Sequence, residues 1–154
     1  MCSAPFSLNR DGHVIVIRAG HLEQINRFAE QAYPEECCGL LIGRDDGASG
    51  LAVTRVAASP NVAEGRQRDS FEVDPKLRFD IMRALEGGPE RIIGHYHSHP
   101  DHPAQPSARD TAMMFEPDLV WVIISVVDGR VEQVTAHAWD GEQGGFREIA
   151  IRSG

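Results

Sequence analysis

The alternation of apolar and polar stretches divides the chain into short strands and a few helices. HVIVIRA (13–19) is a β-branched run and predicts a strand. Leu22, Ile25, Phe28, Ala29 and Ala32 then recur at helical spacing until Pro34 stops the pattern. CCGLLIGR (37–44), closed by the turn DDGASG, and LAVTRVAAS (51–59) predict a hairpin. PNVAEGRQRD is a polar loop and SFEVD a short strand. DPKLRFDIMRALEGG reads as a helix with Asp74 as N-cap, Pro75 at the first helical position and two glycines at its end. RIIGHYH (91–97) is a strand and SARDTAMMF a helix. LVWVIISVVD (119–128) is apolar on both faces, so it belongs in the middle of a sheet. GRVEQVTAHAWD and GFREIAI complete that sheet, joined by turns at DG and GEQGG. The expected fold is α/β, a mixed β-sheet flanked by helices, in a single domain over residues 1–154.

Composition narrows the function. Fifteen basic against twenty-three acidic residues give a net charge of −8, and no Lys/Arg run is present, which argues against a nucleic-acid surface. No apolar run approaches the ~20 residues of a membrane span. The opening MCSAPFSLNRDG lacks the basic start and apolar core of a signal peptide. Cys2, Cys37 and Cys38 are odd in number and two are adjacent, which makes no disulfide framework. A cytoplasmic protein is the expectation.

The candidate chemistry lies in GHYHSHPDHPAQPSARD (94–110). His97 and His99 are two apart at a strand end, so their imidazoles point to one face and can converge on one ion. Asp110 is available as a third ligand, and two histidines plus a carboxylate leave a fourth position for water, as a catalytic zinc requires. Each residue also has an ordinary reading. SARD fits the capping box, with Ser107 as N-cap and Asp110 as its partner. An isolated H-x-H is more often packed or exposed than ligating. The two roles of the SARD turn are compatible, since Ser107 and Asp110 lie one turn apart.

These residues resemble the JAMM/MPN metalloprotease family, whose motif is H-x-H, seven residues, S, two residues, D, with a glutamate upstream. His97, His99, Ser107 and Asp110 match every spacing, and PEECCGLLIG supplies the upstream element. Three residues before Gly39 the glutamate is Glu36, with Glu35 as its neighbour. NVAEGRQRDSFEVDP resembles the bacterial Mec+ branch, which is similar to CysO-cysteine peptidases. The resemblance spans roughly residues 14 to 139 and implies a JAMM/MPN, cytidine-deaminase-like fold with one zinc ion held by His97, His99 and Asp110.

It also implies roles. Zinc lowers the pKa of water and polarises a carbonyl. Glu36 is the expected general base, and Ser107 the expected donor to the developing oxyanion. For Glu36 taken alone, a solvated loop carboxylate is the ordinary reading. The implied substrate is the C-terminal tail of a ubiquitin-like sulfur-carrier protein (ThiS/MoaD/CysO-like). Its tail is expected to lie along a sheet edge, with SFEVD and the preceding loop as groove wall and Arg66 and Arg68 facing acidic groups. The alternatives are an isopeptidase acting on lysine conjugates and a scaffold MPN domain without metal. A zinc deaminase would need a P-C-x-x-C pair that the chain lacks. His95 is expected to be a buried, hydrogen-bonded histidine or a partner behind the ligands, and His102 an exposed loop residue. Cys37 and Cys38 are expected to pack at a strand start. Ser98 is expected to face away from the ligands, and Asn61 to lie near the cleft.

Overall fold

A computed structural model describes residues 14–65 and 67–154; Cys2, His13 and Arg66 lie outside the described residues. The elements run β1 (Val14–Val16), α1 (Ala19–Ala32), β2 (Cys38–Asp45), β3 (Leu51–Ser59), α2 (Pro75–Leu85), β4 (Arg91–Pro100), α3 (Ala108–Ala112), β5 (Val120–Val127), β6 (Arg130–Asp140) and β7 (Gly145–Arg152). Local signals hold at several boundaries. Asp74 caps α2 by accepting from Lys76 N, with Pro75 at its first position. Along α1, Ile25 and Ala29 are buried while Leu22, Phe28 and Ala32 pack against the same core.

The sheet is mixed, as expected. β2 pairs antiparallel with β3 and β4, β4 runs parallel to β5, and β5, β6 and β7 form an antiparallel meander. β1 pairs parallel with both β3 and β7, so the strands close into a barrel in the order β1-β3-β2-β4-β5-β6-β7. β5 lies between β4 and β6 and is buried on both faces from Val120 to Val126, as its apolar run predicts. Side-chain alternation along β5 sends Val122 and Ile124 into the larger core cluster, and on β4 a bulge between Ile92 and Gly94 lets Ile93 join Tyr96 there. Leu40, Ile42 and Ala57, on β2 and β3, instead pack against Ile81 of α2 in a second cluster. Gly39 is needed at its place in β2, because a Cβ there would lie 2.3 Å from the ring of the fully buried Tyr96.

Three expectations are corrected. SFEVD is not a strand; its one sheet-like contact is a single bridge between Val73 and Asn61. The Asn61 side chain takes the backbone groups a ladder would need, its Oδ1 accepting from Ala63 N at 3.1 Å and Glu72 N at 3.0 Å. The helix expected over SARDTAMMF is confined to Ala108–Ala112, its last turn tightening as Met113 N and Met114 N bond the carbonyls three residues back, those of Asp110 and Thr111. β4 continues past His97 to Pro100, since its register with β5 runs on to Pro100 opposite Val126.

Candidate metal centre

β4 brings His97 and His99 to one face, as a two-residue spacing requires. Their Nε2 atoms are 3.1 Å apart, and Asp110 Oδ2 lies 3.3 Å from His97 Nε2 and 3.0 Å from His99 Nε2. All three side chains are buried. Bonds of about 2.0–2.1 Å in a tetrahedral zinc site give ligand–ligand edges of about 3.3–3.4 Å. The triangle therefore has nearly the size that such an ion needs. Three atoms carrying lone pairs repel at this separation unless a cation or a proton lies among them, so the donor set fits a metal. His99 donates from Nδ1 to the Pro103 carbonyl at 2.8 Å, which leaves its Nε2 lone pair facing Asp110 and His97.

The capping box and this triangle share one carboxylate. Asp110 Oδ2 accepts from Ser107 N at 2.9 Å, and Ser107 Oγ accepts from Asp110 N at 3.0 Å. The capping-box reading of SARD is realised, and the cap aims the carboxylate at the two histidines. Burial works against the Asp110 charge. The hydrogen bonds with His97 and His99 outweigh it and hold the carboxyl well below the usual carboxylate range. Burial pushes the His97 imidazole down despite Asp110. For His99 burial acts in the same direction, but the bonds to Asp110 and Pro103 prevail and raise it.

Glu36 is 5% exposed and Glu35 lies exposed beside it. One Glu36 carboxylate oxygen is within 4.8 Å of the ligand atoms of His97 and His99, and Oε1 is buried with no hydrogen-bond partner among the described residues. Burial pushes the carboxyl up to about 8; His99 pulls it back, while Asp110 and Asp69 push it further up. The backbone holds the residue from both sides. Glu36 N donates to Gln67 O at 2.7 Å, and Asn61 Nδ2 donates to Glu36 O at 3.2 Å. Ser98 does face away from the ligands, its Oγ accepting from Cys37 N at 2.8 Å and tying the Glu36 segment to β4.

Ser107 and Glu36 line a cavity of about 470 Å³ together with His99, Asp69 and Arg109. A second cavity, of about 380 Å³, is lined by Asp110 together with Phe71 and Met113. SFEVD thus walls a cleft, but as irregular chain rather than as a strand edge. Asn61 is near the cleft without facing a substrate, because both its amide hydrogens and its oxygen are used by backbone groups. His95 is buried against Phe71 and Trp121, and its Nδ1 has no hydrogen-bond partner among the described residues, so the expected hydrogen bond is missing there. His102 is exposed, and Cys37 and Cys38 are buried free thiols at the start of β2, both as expected.

The sequence reading missed Phe71 and Trp121. Phe71 stacks on the His97 ring at 4.1 Å between centroids, and Trp121 meets it edge-on at 5.6 Å. No spacing rule links an aromatic on an irregular loop to a histidine on a strand. It also missed Ser125, for which a signal existed: a lone hydroxyl in an otherwise apolar central strand needs a buried partner.

Comparison with known proteins agrees with the geometry. The family described as prokaryotic homologs of the JAB domain matches residues 18–140. A desampylase of Haloferax volcanii is 38% identical over 121 residues, covering 77% of this chain and 78% of the relative. A CysO-cysteine peptidase of Mycobacterium tuberculosis is 29% identical over 119 residues, covering 75% and 76%. A probable TtuB-protein conjugate cleaving protease of Thermus thermophilus is 33% identical over 99 residues, covering 64% and 62%. A solution structure from Desulfitobacterium hafniense superimposes with a TM-score of 0.77 at 29% identity, covering 92% of each chain. A JAB1/MPN domain protein of Archaeoglobus fulgidus shares the fold, with a TM-score of 0.55 at 17% identity over 92% of this chain and 99% of that one. With its motif residues gathered on one face of the barrel and a match over most of its length, the chain belongs to the prokaryotic JAB family and is a hydrolase.

Proposed function

We propose that the protein is a zinc-dependent peptidase that hydrolyses a peptide bond at the C-terminal tail of a ubiquitin-like sulfur-carrier protein. The observation that carries this reading is the triangle of His97 Nε2, His99 Nε2 and Asp110 Oδ2, 3.0–3.3 Å on a side, with the Glu36 carboxylate beside it. Zinc in such a set supplies Lewis acidity, acidifying water and polarising a carbonyl. His97, His99 and Asp110 would hold the ion. Glu36, buried and unpartnered at Oε1, takes the proton of the attacking water and delivers it to the leaving amine. With the ion bound, the Glu36 carboxyl would be held lower than burial alone sets it, in the ionised form a base requires.

Ser107 is the oxyanion donor in this reading. Its Oγ accepts from Asp110 N, which leaves the hydroxyl proton free to turn toward the cavity. Ser107→Ala is expected to lower kcat by about 10²–10³-fold. The lost cap costs roughly 1 kcal/mol of stability. Turnover and thermal melting measured together check this; a lower melting temperature with unaltered kcat assigns Ser107 to capping alone.

The substrate class rests on the relatives, one named for CysO-cysteine and another for TtuB-protein conjugates. The cleft lined by Phe71 and Met113 also has Asp110 in its wall, and a slender Gly-Gly tail suits a channel walled by side chains. Arg68 is exposed on the adjoining loop, available to acidic groups of a carrier; Arg66 lies outside the described residues. The second reading, an isopeptidase releasing carriers from lysine, is favoured by the conjugate-cleaving name of the Thermus relative. The proposed compartment is the cytoplasm, where the free thiols of Cys37 and Cys38 stay reduced.

Incubation with a β-grasp carrier bearing a residue added after its Gly-Gly, followed by mass spectrometry, tests the substrate. Loss of the added residue, blocked by a zinc chelator, is the expected result. Cleavage of lysine-linked conjugates alone transfers the assignment to the isopeptidase. Cleavage of neither rules out this substrate class.

A further inference from the structure

The turn that follows the two histidines has few donors of its own. Pro103 and Pro106 lack backbone N–H groups. Its carbonyls are met by side chains from three adjacent strands. Ser125 Oγ, on β5, donates to His102 O at 2.7 Å. His99 Nδ1, on β4, donates to Pro103 O at 2.8 Å, a carbonyl that also accepts from Gln105 N at 2.9 Å. Thr135 Oγ1, on β6, donates to Ala104 O at 2.6 Å. Three consecutive carbonyls are thus gripped by three neighbouring strands.

The sheet register explains how this comes about. His99 lies opposite Ser125, and His97 lies opposite Ile123, which lies opposite Thr135. Directly paired residues point to the same face of a sheet, so the gripping side chains share the face of the ligands. The last grip has a further support. His137 Nε2 is 2.8 Å from Thr135 Oγ1. The threonine has one proton and gives it to Ala104 O, which can only accept, so its oxygen accepts from His137 Nε2–H. Ser125, Thr135 and His137 are each buried, and their hydrogen bonds go to the turn carbonyls and to one another rather than to the atoms of the triangle.

We propose that Ser125 and Thr135, the latter backed by His137, are positioning residues for the metal centre. By holding the carbonyls of His102 and Ala104 they fix the Pro103 carbonyl between them, which sets the tautomer and the direction of the His99 ring. His97 does not need this device, because Phe71 stacks on it. His99 has His97 as its one ring neighbour among the described residues and Asp110 Oδ2 3.0 Å from its Nε2, so its Nδ1 side is oriented by the Pro103 carbonyl. The inference rests on the zinc-site reading above for its consequence, while its structural content holds for the zinc-free protein.

The full chain is compared with Thr135→Val, Thr135→Ser and Ser125→Ala. Zinc affinity is measured by chelator competition, and the His99 Nδ1–H signal by nitrogen–proton correlation in zinc-free protein. Partners behind a metal-bound histidine typically contribute about 10–100-fold in affinity. That loss is expected for Thr135→Val and Ser125→Ala, with recovery in Thr135→Ser and with weakening of the His99 Nδ1–H signal in the first two. If Thr135→Val does not fold, Ser125→Ala decides by the same two readouts. Unchanged zinc affinity and an unchanged His99 signal in the folded variants overturn the proposal, even if their melting temperatures fall. Absence of zinc binding by the unaltered protein defeats the zinc-site reading instead, and the His99 signal then settles this inference by itself.

Discussion

Asp110→Ala and His97→Ala are expected to abolish stoichiometric zinc binding, with a loss larger than the roughly 10–100-fold that removal of an outer partner costs. Three donor atoms 3.0–3.3 Å apart form the set, and two remaining groups compete poorly with water for the ion. Asp110 carries a second function that must be separated from the first, since its carboxylate also accepts from Ser107 N in the capping box. Asp110→Asn retains an oxygen for that hydrogen bond and removes the charge. Zinc is therefore expected to be lost in both Asp110 variants, whereas the roughly 1 kcal/mol of a broken cap appears mainly in Asp110→Ala. Elemental analysis of purified variants checks the first effect and thermal melting the second. Near-stoichiometric zinc in His97→Ala and Asp110→Ala removes these residues from the ligand set.

Glu36→Gln is expected to cut turnover by about 10²–10⁴-fold, the usual share of general-base catalysis, while zinc stays bound. The amide keeps the shape of the side chain and cannot take a proton. Glu36 stands within 4.8 Å of the histidine ligand atoms, so a direct ligand role is the competing explanation. The Asp110 carboxylate already completes a tighter triangle and is anchored by Ser107 N. Elemental analysis beside single-turnover kinetics separates the two explanations. Zinc lost together with activity makes Glu36 a ligand. Inactivity of Glu35→Gln with an active Glu36→Gln moves the base to the neighbouring residue, against the exposure of Glu35 and the burial of Glu36.

Much of this protein is legible along the chain because its determinants are local. The stripe of Leu22, Ile25 and Ala29, the Asp74–Pro75 start of α2 and the apolar run of β5 each declare their element within a few residues. The H-x-H spacing belongs to the same category: a strand places alternate residues on one face whatever the fold, so His97 and His99 had to converge. Asp110 and the Ser107 cap were also legible from nearby residues, whereas Glu36 and the oxyanion role of Ser107 came only through the motif, since nothing in the immediate surroundings of a loop glutamate distinguishes a base from a solvated carboxylate.

Tertiary structure decided the remainder. Closure of the barrel depends on β1 meeting β7, residues more than a hundred positions apart, and no local pattern encodes that pairing. SFEVD has the composition of a strand, yet the Asn61 amide captures the backbone around it and Phe71 turns onto His97. The double place of Asp110, in the cap and in the triangle with His97 and His99, required the α3 turn to be placed against β4. The grip of Ser125 and Thr135 on successive carbonyls arises from the register of three strands. Periodicity is a property of neighbouring residues, and so the sequence declares which way a side chain points. What that side chain meets is set by backbone pairing between distant segments, and only the folded chain determines it.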